Sequence, residues 1–228
     1  AVSRADNQIG NTISAYIEDS SVTANDVSVL ADDSSKVYSE SLAASLAASI
    51  SIGFSIAGSG AETDTRLTNT VSGYLQGTGL NDTMSLTGNL KVNAISKPDF
   101  YTETGAISVS LGLAALADSG GSNTMTVNPN VSAYVKGYQT VTAQDVEILA
   151  KAQLALKGVA EGMSISTGLS MGSNSTTINV GSTIAASAGG TNNQFHVRKL
   201  DILSETGALH AGRHAVEAIG NSSAGGLL

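Results

Sequence analysis

Chemistry has few places to sit in this chain: three of its 228 residues are histidine and none is cysteine. His210 and His214, in LHAGRHA, stand four apart, a spacing that lets two imidazoles share a metal ion on one helix face. The zinc-protease pattern needs a Glu directly after the first His, and Ala211 stands there instead. On a strand the two would only share a face, so they are read as solvated side chains. His196, Arg198, Lys199 and Asp201 alternate along FHVRKLDILS, and Lys, Arg and Asp on one strand face can cleave polysaccharide. Comparable positions elsewhere in the chain carry Thr, Asn, Asp and Ser, which points to a polar outer face. The acidic turn ADDSS at Ala31–Ser35 is a candidate for structural calcium, although the calcium nonapeptide GGxGxDxUx is absent. Phosphate loops, GxSxG, HExxH and EF-hand loops are absent too. No catalytic residue, cofactor or metal site is expected, and the chain is not read as an enzyme.

Composition narrows the classes further. Hydrophobic residues make up 41% but aromatics only 4%, so any core must be filled with Ala, Val, Ile and Leu. That suits a regular structure of near-identical layers. The net charge is -8, and the 11 Lys and Arg are scattered, which excludes a nucleic-acid face. No polybasic run addresses an anionic membrane. The weakly polar run Ser41–Ala57 is interrupted by serines throughout and is rejected as a transmembrane segment. The first residues, AVSRADNQIG, have neither the basic nor the apolar region of a signal peptide. A lack of cysteine is usual both in the cytoplasm and in long chains that cross membranes unfolded. An outer-membrane barrel would need aromatic girdles, and an ice-binding face would need Thr-x-Thr on every turn. Here TDT (Thr63–Thr65) and TMT (Thr124–Thr126) are isolated.

The elements that position these residues are announced by repetition. VTANDVSVLA at Val22–Ala31 returns as VTAQDVEILA at Val141–Ala150, with seven of ten residues identical. FHVRKLDILS at Phe195–Ser204 is a third copy, and LTGNLKVNA at Leu86–Ala94 a weaker one, read as one residue short. A second phrase precedes each: NTISAYI at Asn11–Ile17, NTVSGYL at Asn69–Leu75, NVSAYV at Asn130–Val135 and GSTIA at Gly181–Ala185. A third follows: SISIGFSIA at Ser49–Ala57, AISVSLGLA at Ala106–Ala114 and GMSISTGLS at Gly162–Ser170. The order is constant and the period is about 57 residues, which gives four units, approximately 1–58, 59–117, 118–172 and 173–228. Both termini fall inside a unit and no capping repeat is visible, which suggests a piece of a longer array or ends finished by other molecules.

The third phrase alternates strictly, with Ile50, Ile52, Phe54 and Ile56 opposite Ser49, Ser51, Gly53 and Ser55. That is the pattern of a half-buried strand. Leu42 and Leu46 are also four apart, which leaves a short helix open, but the long strand is favoured. Turns are read at EDSS, ADDSS, ADSGGSN, MGSNS and AGGTNN. Short strands with turns at equivalent places and no crossover helix indicate an all-β fold, a parallel β-solenoid without caps. One wide turn per unit is preferred over three. Equivalent residues then stack in rows about 4.8 Å apart. The expected rows are Tyr16–Tyr74–Tyr134, Ile50–Ile107–Met163, Ile52–Val109–Ile165 and Val29–Ile148–Ile202. In one row Asp145 would face Lys199, and no two acids are adjacent there.

With the repeat in place, SAYI…SSVTANDVSVLA followed by the Ala/Ser/Gly-rich strand resembles the repeat regions of very large bacterial cell-surface, adhesin-like β-solenoids, the filamentous-haemagglutinin type in a broad sense. The resemblance covers essentially the whole chain and carries over no catalytic motif. It implies secretion, an extracellular or cell-surface location and a long stalk or fibre. The expected function is a structural segment of a stalk, sheath or filament. Its partners would be copies of itself or adjoining repeats of a longer chain, joined at open strand edges. One alternative is an adhesin module that binds a glycan or partner cell through exposed turns, with Phe100, Tyr101 and Tyr138 as its only candidate aromatics. Another is a polysaccharide-active enzyme on a β-helix.

Overall fold

The computed structural model describes residues 1–49, 53–79, 81–190, 193–209 and 216–226. Among them the chain is all-β, and every strand pairing is parallel. Three sheets form. The first runs β1 (Val2–Ile9), β6 (Phe54–Leu67), β11 (Ala114–Val127) and β14 (Leu169–Val180). The second runs β2 (Thr12–Glu18), β7 (Thr70–Gln76), β12 (Asn130–Lys136) and β15 (Thr183–Gly189). The third collects β3 (Val22–Ala24), β4 (Val27–Asp33), β5 (Lys36–Ala48), β8 (Thr83–Leu86), β9 (Leu90–Ser96), β10 (Asp99–Leu111), β13 (Thr140–Ser166), β16 (Gln194–Ala208) and β17 (Val216–Gly226). The 27-residue β13 pairs in succession with β8, β9 and β10 on one side and with β16 and β17 on the other.

Each strand lies against the equivalent strand about one repeat further on: Val2 faces Gly60, Lys36 faces Asp99 and Leu116 faces Leu169. The corners repeat as well. Thr70 donates its N–H to the carbonyl of Asn11 at 2.8 Å, and Asn130 donates to Asn69 at 2.8 Å. Gly137 (φ 73°) packs so closely that an added Cβ would lie 2.2 Å from the Gly77 carbonyl oxygen, so only glycine fits that corner.

The interior has two parts. A broad apolar core lies between the second sheet and the β4, β9 and β13 strands, with Val71, Leu75, Val92, Val131, Val135 and Ile148 fully buried. Beyond it the first sheet closes on β5, β10 and β13 as a thin blade. Phe100, Met125 and Leu67 fill its wide end. Polar pairs come next: Thr102 donates to Asn123 Oδ1 at 2.9 Å, and Thr104 donates to Thr63 Oγ1 at 2.8 Å. Then come Ala43, Ala61 and Ala106, and at the narrow end the hydroxyls of Ser55 and Ser110 lie 2.7 Å apart.

The blade corrects several expectations. Strand alternation is present, but its faces are reversed: Ser55 and Ala57 are 6% and 3% exposed, while Phe54 and Ile56 are 83% and 70% exposed. The sheets approach too closely to admit Phe or Ile, so small side chains turn inward and large ones outward. For the same reason ADSGGSN and MGSNS are strand interiors, inside β11 and β14, and not turns. Leu42 and Leu46 lie on strand β5.

The rows expected for the third phrase are also shifted. Ile50 and Ile52 lie outside the described residues. Ala44 faces Ile107, which faces Met163, and Leu46 faces Val109, which faces Ile165. The slip is six residues. An even slip keeps every side chain on its own face, so the alternation cannot detect it. β5 ends at Ala48 and β6 begins at Phe54, whereas only Gly112 and Leu113 separate β10 from β11. The weak copy of the first phrase is longer, not shorter: Val22 faces Met84 and Ala31 faces Ala94, so Met84–Ala94 has one residue more than Val22–Ala31.

Candidate functional site

The most specific arrangement in the molecule is the set of side-chain rows and the edges where they stop. Tyr16, Tyr74 and Tyr134 face one another across β2, β7 and β12. Their rings stack at 5.1 and 4.8 Å with planes 8° and 11° apart. The Lys136 ammonium lies 4.6 Å from the Tyr134 ring centroid, and the Tyr74 hydroxyl donates to Glu18 at 3.0 Å. Partial burial and that Glu18 contact push the Tyr74 phenol up to about 12. A second stack pairs Tyr38 with Tyr101 at 5.3 Å. It went unread in the sequence although the signal, a Tyr with Glu two residues on in YSE and YTE, was there. Tyr101 donates to Glu103 at 2.8 Å, which with burial pushes its phenol up to about 12.

Val29, Val92, Ile148 and Ile202 form one continuous row. Val29 is 6% exposed and Ile148 fully buried, but Ile202, on the outermost strand, is 42% exposed. The same holds for Leu200 (39%) on β16 and for Val180 (42%) at the end of β14, the edge strand of the first sheet. These residues belong to rows that are buried in the inner strands and that no described strand covers at the outer one. Their exposure marks the edge as an apolar surface as well as a line of backbone donors and acceptors.

On the charged strand face Asp145, Arg198, Lys199 and Asp201 are engaged in two ion pairs. Asp145 does face Lys199 in register. Its carboxylate, however, accepts a two-pronged bond from Arg198 at 2.9 and 2.6 Å, while Lys199 pairs with Asp201 at 2.6 Å. Arg198 holds the Asp145 carboxyl below its ordinary range, and Asp201 holds the Lys199 ammonium above its own. Both shifts run away from neutrality, opposite to the tuning a general acid or base needs. A depression of about 230 Å³ borders these residues together with Lys91 and Glu147. Glu147 accepts from Asn93 at 3.3 Å. His196 stands on the same strand, facing Thr142.

The carboxylates of the acidic turn are engaged in the corner. Asp32 pairs with Lys97 at 2.8 Å. Asp33, 3% exposed, accepts from Asn69 at 2.7 Å, Ser35 at 2.6 Å and Ser96 at 3.2 Å. No group of three His, Asp or Glu residues converges for a metal ion among the described residues. His210 and His214 lie outside them. Of the candidate glycan-binding aromatics, Phe100 (1% exposed) and Tyr138 (fully buried) are core residues. They fill volume between sheets, so they cannot form a platform with Tyr101. Like charges do stack elsewhere: Asp6 faces Asp64, and Arg66 at 2.7 Å from Asp64 offsets the repulsion.

Among the described residues no helix is long and apolar enough to cross a membrane. Comparison with protein-family models, curated proteins and solved structures returns no match.

Proposed function

We propose that this chain is a structural segment of a parallel β-solenoid stalk, sheath or filament, with each repeat of about 57 residues forming one layer. The segment lengthens when another layer, from adjoining repeats or a second copy, pairs with an open strand edge. The observation that carries this reading is the uncovered end of each buried row, Ile202 and Leu200 above all. A first layer set on that edge in the prevailing register places Ile13 on Ile184, Val27 on Leu200 and Val29 on Ile202. It also places Asp26 against Lys199. Asp32 would meet Glu205, a like-charged pair, but Lys97 and Lys151 already hold these two acids at 2.8 and 2.9 Å. An extracellular, cell-surface setting follows from the resemblance of the repeat phrases alone.

Electron microscopy of the purified chain with fibre diffraction tests the proposal. Long uniform fibres with an axial reflection near ~4.8 Å support it. Discrete monodisperse particles at every concentration sink growth by added copies.

A further inference from the structure

The outer face of β5, β10 and β13 in the blade carries rows of apolar side chains that no other described residue covers. Leu42, Leu46, Leu111 and Met163 are 58%, 73%, 38% and 39% exposed. Ala44–Ile107–Met163 and Leu46–Val109–Ile165 are charge-free across three strands. Acidic residues begin only at Glu103 and Glu161. The exposed apolar area is on the order of 500 Å², at the upper end of what a monomer leaves bare. Two such faces together would bury about 1,000 Å², the threshold for a specific interface.

We infer that this face is a docking surface for the same face of a second copy, packed side by side through a two-fold contact. The relief supports self-complementarity. Gly105 lies beside Leu42 in a depression of about 400 Å³, whose lining includes Ile107 and Met163, the carboxylates Glu103 and Glu161 at its rim and, from β17, Asn221 and Ser223. Leu46 stands proud on the same face, four residues along and one strand across. A two-fold axis near Ala44 and Ile107 sets Leu46 of each copy into the Gly105 depression of the other, an isologous contact that closes on itself. The contact is perpendicular to the strand edges, so it joins neighbouring segments laterally and does not depend on end-to-end growth.

The lack of cysteine gives a clean test. Ala44→Cys is placed near the two-fold axis and treated with a bis-maleimide of about 10 Å reach, matched to face-to-face sheet packing. Copies joined only through their edges keep Ala44 about 19 Å apart, beyond that reach. The expected result is a covalent dimer whose yield falls at least tenfold when Leu46→Glu is added, and also when Gly105→Leu fills the depression. Leu46 is exposed and Gly105 has an ordinary strand conformation, so circular dichroism should be unchanged for both variants. Absence of the dimer at several hundred micromolar protein overturns the inference, as does a dimer indifferent to both substitutions. Binding of the chain to phosphatidylcholine vesicles, lost on Leu46→Glu, assigns the face to lipid and overturns it too.

Discussion

Tyr74 stacks on Tyr134 with ring centroids 4.8 Å apart and planes within 11°, a separation set by the distance between paired parallel strands. The aromatic contact therefore adds no strain to the ladder that carries it. With Tyr16 on its other side at 5.1 Å, Tyr74 makes two such contacts. Each is worth about 0.5–1.5 kcal/mol beyond burial. Tyr74→Ala should cost roughly 1–3 kcal/mol, a fall in Tm of about 3–10 °C for a chain of this size. Tyr74→Phe keeps the stack and should cost less. Thermal unfolding of the two variants checks the order, and equal losses would show that the rings contribute nothing by stacking.

The Tyr74 and Tyr101 phenols, each pushed up to about 12, give the pH dependence its sign. In the unfolded chain a phenol loses its proton near the ordinary value of about 10. Above that pH the unfolded state binds fewer protons than the folded one, so stability falls. The stabilising contribution is complete below pH 10 and is lost as pH rises towards 12. Urea midpoints should be level from pH 8 to 9.5 and decline beyond. The double variant Tyr74→Phe, Tyr101→Phe should decline less, and an unchanged slope would refute the assignment.

Asn123 holds the blade together. It is 1% exposed, accepts from Thr102, and donates to the carbonyls of Thr102 and Val159, each at 2.9 Å. Asn123→Ala strands those partners in a dry interior and should cost about 2–4 kcal/mol. Urea unfolding measures it, and a loss under 1 kcal/mol would mean the pair is dispensable.

Ser108 makes the opposite prediction. Its hydroxyl is fully buried with no hydrogen-bond partner. Ser108→Ala removes a polar group that gains nothing from burial and nearly conserves volume. The variant should be as stable as the parent or more stable by about 1 kcal/mol, and a clear drop in Tm would reveal a partner for the hydroxyl.

A charge at the open edge should stop growth without unfolding the segment. Ile202→Lys puts an ammonium where a further layer would have to cover it. Fibres should shorten or vanish in electron micrographs while the circular dichroism of the dispersed chain is unchanged. Fibres of undiminished length would show that layers do not add at β16.

Much of the register was legible before any coordinates. The Tyr16–Tyr74–Tyr134 and Val29–Ile148–Ile202 alignments follow from phrases that repeat with few changes, because a side chain that fits one strand of a parallel ladder fits the same place on the next. Strand character follows equally from period-two alternation. Alternation is blind to two things, however: which of its two faces is interior, and any slip by an even number of residues. The first was decided by the sheet-to-sheet distance in the blade, the second by where β5 pairs along β10. Where two sheets close to the width of a Ser55–Ser110 contact, volume outranks hydrophobicity. Serine, alanine and threonine go inside, some of the hydroxyls paired as those of Ser55 and Ser110 are, and Phe54, Ile56, Leu46 and Met163 are turned out. That distance depends on residues 21 to 55 positions apart meeting across the interior, as Thr102 meets Asn123 and Ser55 meets Ser110, which no local pattern encodes. The sequence by itself determined a stack of parallel strands and most of its rows; only the tertiary structure decided that the greasiest strands would carry their apolar side chains on the outside.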